Sequence, residues 1–153
     1  KTSKALTRMN EQFREKRVQK TYWAIVNNPP PYNIGTIENY LKKNTQRNKS
    51  YITNKKEGKH AVLDYKLIKK MTNYYHLEIT PKTGRHHQIR VQLANIKSII
   101  KGDLKYGAKR SNRDKSICLH AYKIKFMHPV KKTSIIIIAP TPKNSNIWKQ
   151  LKQ

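Results

Sequence analysis

Acidic residues are scarce in this chain. Eight Asp and Glu stand against 34 Lys and Arg, for a formal net charge of +26 over 153 residues. An enzyme acting on a small neutral metabolite has no use for such an excess. The imbalance points to a polyanionic partner, nucleic acid first. The cations run along the whole chain and are not gathered in a tail, which predicts a folded basic surface. A biased genome would enrich lysine and keep glycine down to five, but it would not by itself remove the acids.

Cysteine is nearly absent. Cys118 stands alone, which excludes an internal disulfide and fits a reducing compartment such as the cytoplasm. It lies in an apolar stretch and reads as core, not nucleophile. There is no CxxC and no HExxH. Of His60, His76, His86, His87, His120 and His128 only one pair is adjacent, and helix neighbours point about 100° apart, so no metal site is expected. A ribonuclease-like pair, His86 or His87 with His120, has no spacing to favour it over structural histidines. No Walker loop or dinucleotide glycine motif occurs, and no cofactor is expected. Signal-peptide features and apolar runs of about 18 residues are missing too. The longest apolar run, residues 135–139, is strand-sized. The chain opens at Lys1, directly in a helix-like stretch, which reads as a fragment or a trimmed chain.

Residues 3–16 have helical periodicity, with Ser3 as cap, Ala5, Leu6, Met9 and Phe13 inward, and Glu11 and Glu15 among Arg8, Arg14 and Lys16 outside. Alternation predicts a strand over 18–26, with Tyr22, Ala24 and Val26 on one face. The run Asn27-Asn28-Pro29-Pro30-Pro31 ends it. Residues 34–52 read as a peripheral excursion. A hairpin is expected from 61–68 and 74–80, with Leu63, Tyr65 and Leu67 on one side of the first strand and Tyr75, Leu77 and Ile79 inward on the second. Two more strands, 120–126 and 134–139, follow a basic loop over 97–113, and 144–151 reads as a short closing helix. Hairpins with few crossover helices predict a single α+β domain built on a mostly antiparallel sheet.

The stretch 83–94, TGRHHQIRVQLA, is dense in donors for phosphate and base edges. It reads as a helix start, with Thr83 as N-cap, an apolar stripe of Ile89, Leu93 and Ile96, and His86 stacked over Arg90. Arg90 falls on the border of that stripe. Spacing leaves open whether it snorkels to the surface or sits half-buried against a carboxylate. Tyr22, mid-strand beside small Ala24, has room over its ring for a flat ligand. It could stack an unpaired base or be an ordinary core tyrosine.

GRxHQIRVxLA resembles the third motif of the RluA-type pseudouridine synthases. Three further segments are similar to that family in the same order: Lys20-Thr21-Tyr22-Trp23-Ala24-Ile25-Val26, Gly102-Asp103-Leu104-Lys105-Tyr106-Gly107, and Leu119-His120-Ala121 with His128-Pro129. The resemblance implies a pseudouridine synthase catalytic fold in partial form. It also implies isomerisation of uridine in ribosomal or transfer RNA, through an attacking aspartate and without cofactor or metal. A monomer is expected. Tyr22 would stack on the base and Arg90 would pair with the aspartate. Lys20, Arg85, His86, His87, Gln88, Lys105, Lys109 and Arg110 would touch RNA. The family's H-R-L-D motif is not in this sequence, and Asp64, Asp103 and Asp114 fit its place poorly. The expectation is a chain that binds RNA without isomerising it, with Arg90 deprived of its intended partner and converging with Tyr22 on one pocket. A non-enzymatic ribosome-associated RNA-binding module is the competing reading. A DNA-binding protein ranks third, for want of a helix-turn-helix or finger pattern.

Overall fold

The computed structural model describes residues 2–142 and 146–151. They divide into two compact units, one formed by Tyr22–Leu119 and the other by the two ends of the chain.

The larger unit is an antiparallel sheet with one helix laid on it. Its strands are β1 (Gln19–Val26, here from Tyr22), β2 (Ile34–Asn44), β3 (Lys49–Thr53), β4 (Lys59–Lys70) and β5 (Tyr75–Pro81), in the spatial order β3-β2-β4-β5-β1. All four neighbouring pairs are antiparallel. The expected hairpin is β4 and β5. The expected peripheral excursion is instead the β2–β3 hairpin, and β2 pairs with β4 over eight residues from Ile34↔Lys66 to Leu41↔Lys59. Its many polar side chains hid this, because only every second residue of a strand needs to be apolar when one face is wet.

Ala61, Leu63 and Tyr65 of β4, Ile37 and Leu41 of β2, Leu77 and Ile79 of β5, and Ala24 of β1 are all buried. The pairings set them on one sheet face. Helix α2 (Gln88–Asn95) covers this face, with Val91 joining Leu41 and Ala61 in one cluster. Gln92, wholly buried, ties the helix down. Its Nε2 donates to the carbonyls of Ile37 (3.1 Å) and Ala61 (3.2 Å). The other face of β1 and β5 carries Ile25 opposite His76, both buried.

The smaller unit holds α1 (Ser3–Arg14), the hairpin of β6 (Leu119–Met127, here from His120) and β7 (Ser134–Ile138), and α3 (Asn146–Lys149). The expected start of the last helix, near residue 144, lies outside the described residues. Helix α1 has the expected period but a shifted phase. Thr2, not Ser3, is the cap, and its hydroxyl accepts from the Ala5 N–H. Leu6 and Phe13 are exposed, whereas Gln12 is buried. The Gln12 amide reproduces a strand's hydrogen bonding to Met127, donating to its carbonyl (2.8 Å) and accepting from its N–H (2.9 Å). Hydrophobicity alone could not show that a glutamine was the inward residue.

Candidate functional site

The site is built around a glycine turn and a buried acid. Gly102 has φ +86°, and a Cβ there would come within 2.7 Å of Asn112 Nδ2 and of the Ser116 carbonyl. Only glycine fits both constraints. The turn delivers Asp103, 1 % exposed, at the head of a single 3-10 turn, Leu104–Tyr106. Arg90, in the first turn of α2, meets that acid through a two-pronged fork. Its Nε donates to Oδ2 and its Nη2 to Oδ1, each at 2.7 Å. The Tyr106 ring lies 4.9 Å from the Arg90 Cζ. Sequence spacing left Arg90 between a snorkelling surface residue and a half-buried one with a carboxylate. The structure gives the second. That carboxylate is Asp103, which the sequence reading did not assign to Arg90.

Helix α2 begins five residues later than Thr83. Its N-cap position is His87, held in the left-handed region at φ 52°. Thr83 is not a cap. Its hydroxyl accepts from the Val62 N–H (2.9 Å) and donates to Gln88 Oε1 (2.8 Å). Gln88 is buried. Its Oε1 also accepts from the Arg85 N–H, and its Nε2 donates to the Val62 carbonyl. It fastens the turn to β4, which corrects its expected role as an RNA contact. The non-helical turn also undoes the expected stacking of His86 over Arg90. Arg90 Nη1 meets His87 Nε2 instead, at 3.0 Å.

The proton positions in this cluster follow from donor bookkeeping. Arginine has no acceptor, so Nη1 donates and His87 Nε2 accepts. A neutral His87 then carries its proton on Nδ1 and donates it to Tyr106 Oη, 3.0 Å away. Tyr106 in turn donates to the Ser50 carbonyl (3.2 Å) and accepts from the Ser50 N–H (2.8 Å). Ser50 Oγ lies 2.8 Å from His86 Nδ1, and His86 Nε2 lies 3.1 Å from Asn48 Oδ1. The two imidazoles stack at 3.9 Å. One polar chain therefore joins α2, the 3-10 turn and the β2–β3 hairpin.

Burial, and then the Arg90 charge beside it, bring His87 down to about 4. Burial also lowers His86, helped by Lys43, Arg90 and Lys105. Burial raises the Tyr106 phenol. Each group is thus neutral near pH 7, as the chain of donors requires. Outside the buried fork the site is cationic. Lys49 Nζ lies 5.1 Å from the Tyr106 ring centre, and Lys105 Nζ donates to the Asn48 carbonyl at 3.1 Å.

The structure brings His86, His87, Arg90 and Lys105 together. Arg85 is adjacent, its Nε on the His60 carbonyl. Lys109 and Arg110 are exposed just beyond the 3-10 turn. Lys20 belongs to the smaller unit, where its ammonium lies 6.0 Å from the Phe13 ring. Tyr22 pairs with Ile79, and Ile79 with Tyr65. Paired residues share a face, so the half-buried Tyr22 is on the sheet face that α2 covers. No hydrogen bond or ring contact joins it to Arg90 among the described residues. Asp103, Tyr106, Ser50, Asn48 and Lys49 were not expected in the site. The first two stood in a quoted motif, but their distance from 83–94 in the chain concealed the contact.

Residues 1–95 match the family model described as RNA pseudouridylate synthase. This chain belongs to that family. The RluA-type likeness of the four motifs therefore holds, as does the α+β class. Among curated relatives, the ribosomal large subunit pseudouridine synthase C of Buchnera aphidicola subsp. Baizongia pistaciae is 36% identical over 143 residues, covering 88% of this chain and 45% of that protein. The ribosomal large subunit pseudouridine synthase D of Borreliella burgdorferi is 35% identical over 115 residues, or 74% of this chain and 35% of that one. The chain thus spans less than half the length of these two relatives. Human RNA pseudouridylate synthase domain containing 1 superposes with a TM-score of 0.77 at 22% identity, over 92% of this chain and 62% of its own, a likeness of fold. Asp103 and Tyr106 lie beyond the segment matched by the family model.

Proposed function

We propose that this chain is the substrate-holding part of a truncated catalytic domain, and that the whole protein isomerises uridine to pseudouridine in RNA. The names of the relatives favour ribosomal RNA of the large subunit as substrate. The observation that carries the reading is Arg90, a half-buried guanidinium of the third motif held rigidly beside a cationic rim. A carboxylate that attacks uridine has to remain ionised, and a guanidinium within contact distance favours that state. Tyr22 then supplies the stacking surface for the extruded base. Rim cations such as Lys49 and Lys105 hold the flanking phosphates. The bond between base nitrogen and sugar breaks, a bond from base carbon to the same sugar carbon forms, and the proton lost from that carbon is balanced by one taken up from solvent on the freed nitrogen. No external oxidant or cofactor is needed for this balance.

In this reading the segment binds RNA but does not turn it over alone. Asp64 is engaged by Lys82 and Thr36, Asp103 by Arg90, and Asp114 by Ser116. The test is to give the chain a uridine-containing ribosomal RNA transcript and measure binding and pseudouridine. Binding without product is expected. Product from the chain alone would refute the assignment of the acid to another segment, and failure to bind would refute the RNA reading. In the whole protein Tyr22→Ala should abolish turnover while leaving RNA affinity nearly intact. Equal loss of both would make Tyr22 a structural residue.

A further inference from the structure

We infer that His87 is a positioning residue for Arg90, acting with Asp103, and not an RNA contact. The inference rests on the reading of Arg90 above, and it concerns how that guanidinium is aimed. A guanidinium has five N–H donors. Asp103 takes the Nε edge and one N–H of Nη2, and His87 takes one N–H of Nη1. The Tyr106 ring lies against the group at 4.9 Å. Two N–H remain, one on each Nη. A planar pair of donors suits the two oxygens of one carboxylate.

Asp103 alone would leave the guanidinium free to tilt about its fork. His87 adds a third point of attachment on the opposite nitrogen. Its own orientation is secured by the bond from Nδ1 to Tyr106 Oη, by the stacked His86 ring, and by a left-handed backbone at φ 52°. Strained non-glycine backbone of this kind persists only where the surroundings over-determine it. Both ring nitrogens are consumed within the protein, so nothing on His87 remains to donate to a phosphate.

The test compares His87→Leu, which removes the acceptor for Nη1, with His87→Gln, whose amide oxygen can replace it. In the whole protein, His87→Leu should lower kcat by roughly 10- to 100-fold, the cost of a catalytic group misplaced by about an ångström. The KM for RNA should stay within about twofold, and His87→Gln should recover most of the loss. A raised KM with unchanged kcat would overturn the proposal and make His87 an RNA ligand. Equal loss in both variants would overturn it as well. Nitrogen-15 spectra of the isolated chain give an arm that needs no turnover. His87 should be neutral at pH 7 with its proton on Nδ1, and His87→Leu should broaden the Arg90 Nη1 signals while His87→Gln leaves them near those of the parent chain. A proton on Nε2 would refute the geometry even in an active enzyme. A whole protein without isomerase activity, but with the expected spectra, would sink the functional reading and leave the positioning intact.

Discussion

Arg90 and Asp103 stand 13 residues apart in the chain and meet through two hydrogen bonds of 2.7 Å, with the acid buried and the arginine side chain 18% exposed. Removing one partner from such a pair leaves an uncompensated charge in a poorly solvated place. Asp103→Ala should therefore cost about 3–5 kcal/mol of folding stability, read from urea unfolding. Replacing both residues, as Arg90→Met with Asp103→Leu, should restore much of it, because the cost lies in the orphaned charge more than in the lost contact.

The stability of the chain should fall as pH drops from about 6.5 to about 4. Burial, aided by Lys69, holds His76 at about 4 against an ordinary value of 6.5, with Glu78 opposing and the Trp23 ring at 4.7 Å. Burial and Arg90 do the same to His87. In that window the unfolded chain binds protons that the folded chain refuses, so stability is fully present above about 6.5 and declines below it. His76 contributes on the order of 3 kcal/mol to the decline. His76→Phe should remove its part of the slope in denaturation curves taken at stepped pH. An unchanged slope would mean that His76 is solvated after all.

RNA affinity should fall steeply with salt, as the logarithm of the salt concentration, because cations that replace counterions on phosphate release them. Lys49→Ala and Lys105→Ala should each reduce the magnitude of that slope by about one, and the loss should be similar for different sequences. A slope near zero would remove nucleic acid as the partner.

Gln12→Leu should loosen the attachment of α1 to Met127. It strands a backbone donor and a backbone acceptor that the Gln12 amide satisfies, at a cost of about 1–3 kcal/mol. The Met127 amide should then exchange with solvent faster, by hydrogen exchange, than in the parent chain.

The strands with clear alternation, β1, β4, β5 and β6, were legible from side-chain pattern, since a two-residue period is a local property. So was the half-buried character open to Arg90. The start of α2 was not. Thr83 has the chemistry of a cap, yet Val62 and Gln88 claim its hydroxyl, and no local rule weighs a partner 21 residues away. The inward phase of α1 failed for a similar reason, because Gln12 is buried by hydrogen bonds and not by hydrophobicity.

What the sequence determined by itself is therefore the part of the protein that depends on neighbours in the chain: the strand periods, the basic excess and the ordered motifs that carry the family. Only the tertiary structure decided that Asp103 is the acid on Arg90, that His87 rather than His86 braces it, and that Tyr106 and Ser50 complete the chain of donors. Those choices are made by distances between segments that only the packing of α2 against the sheet brings within hydrogen-bond reach, and a hydrogen bond is far too short-ranged to be read from spacing along a strand or helix.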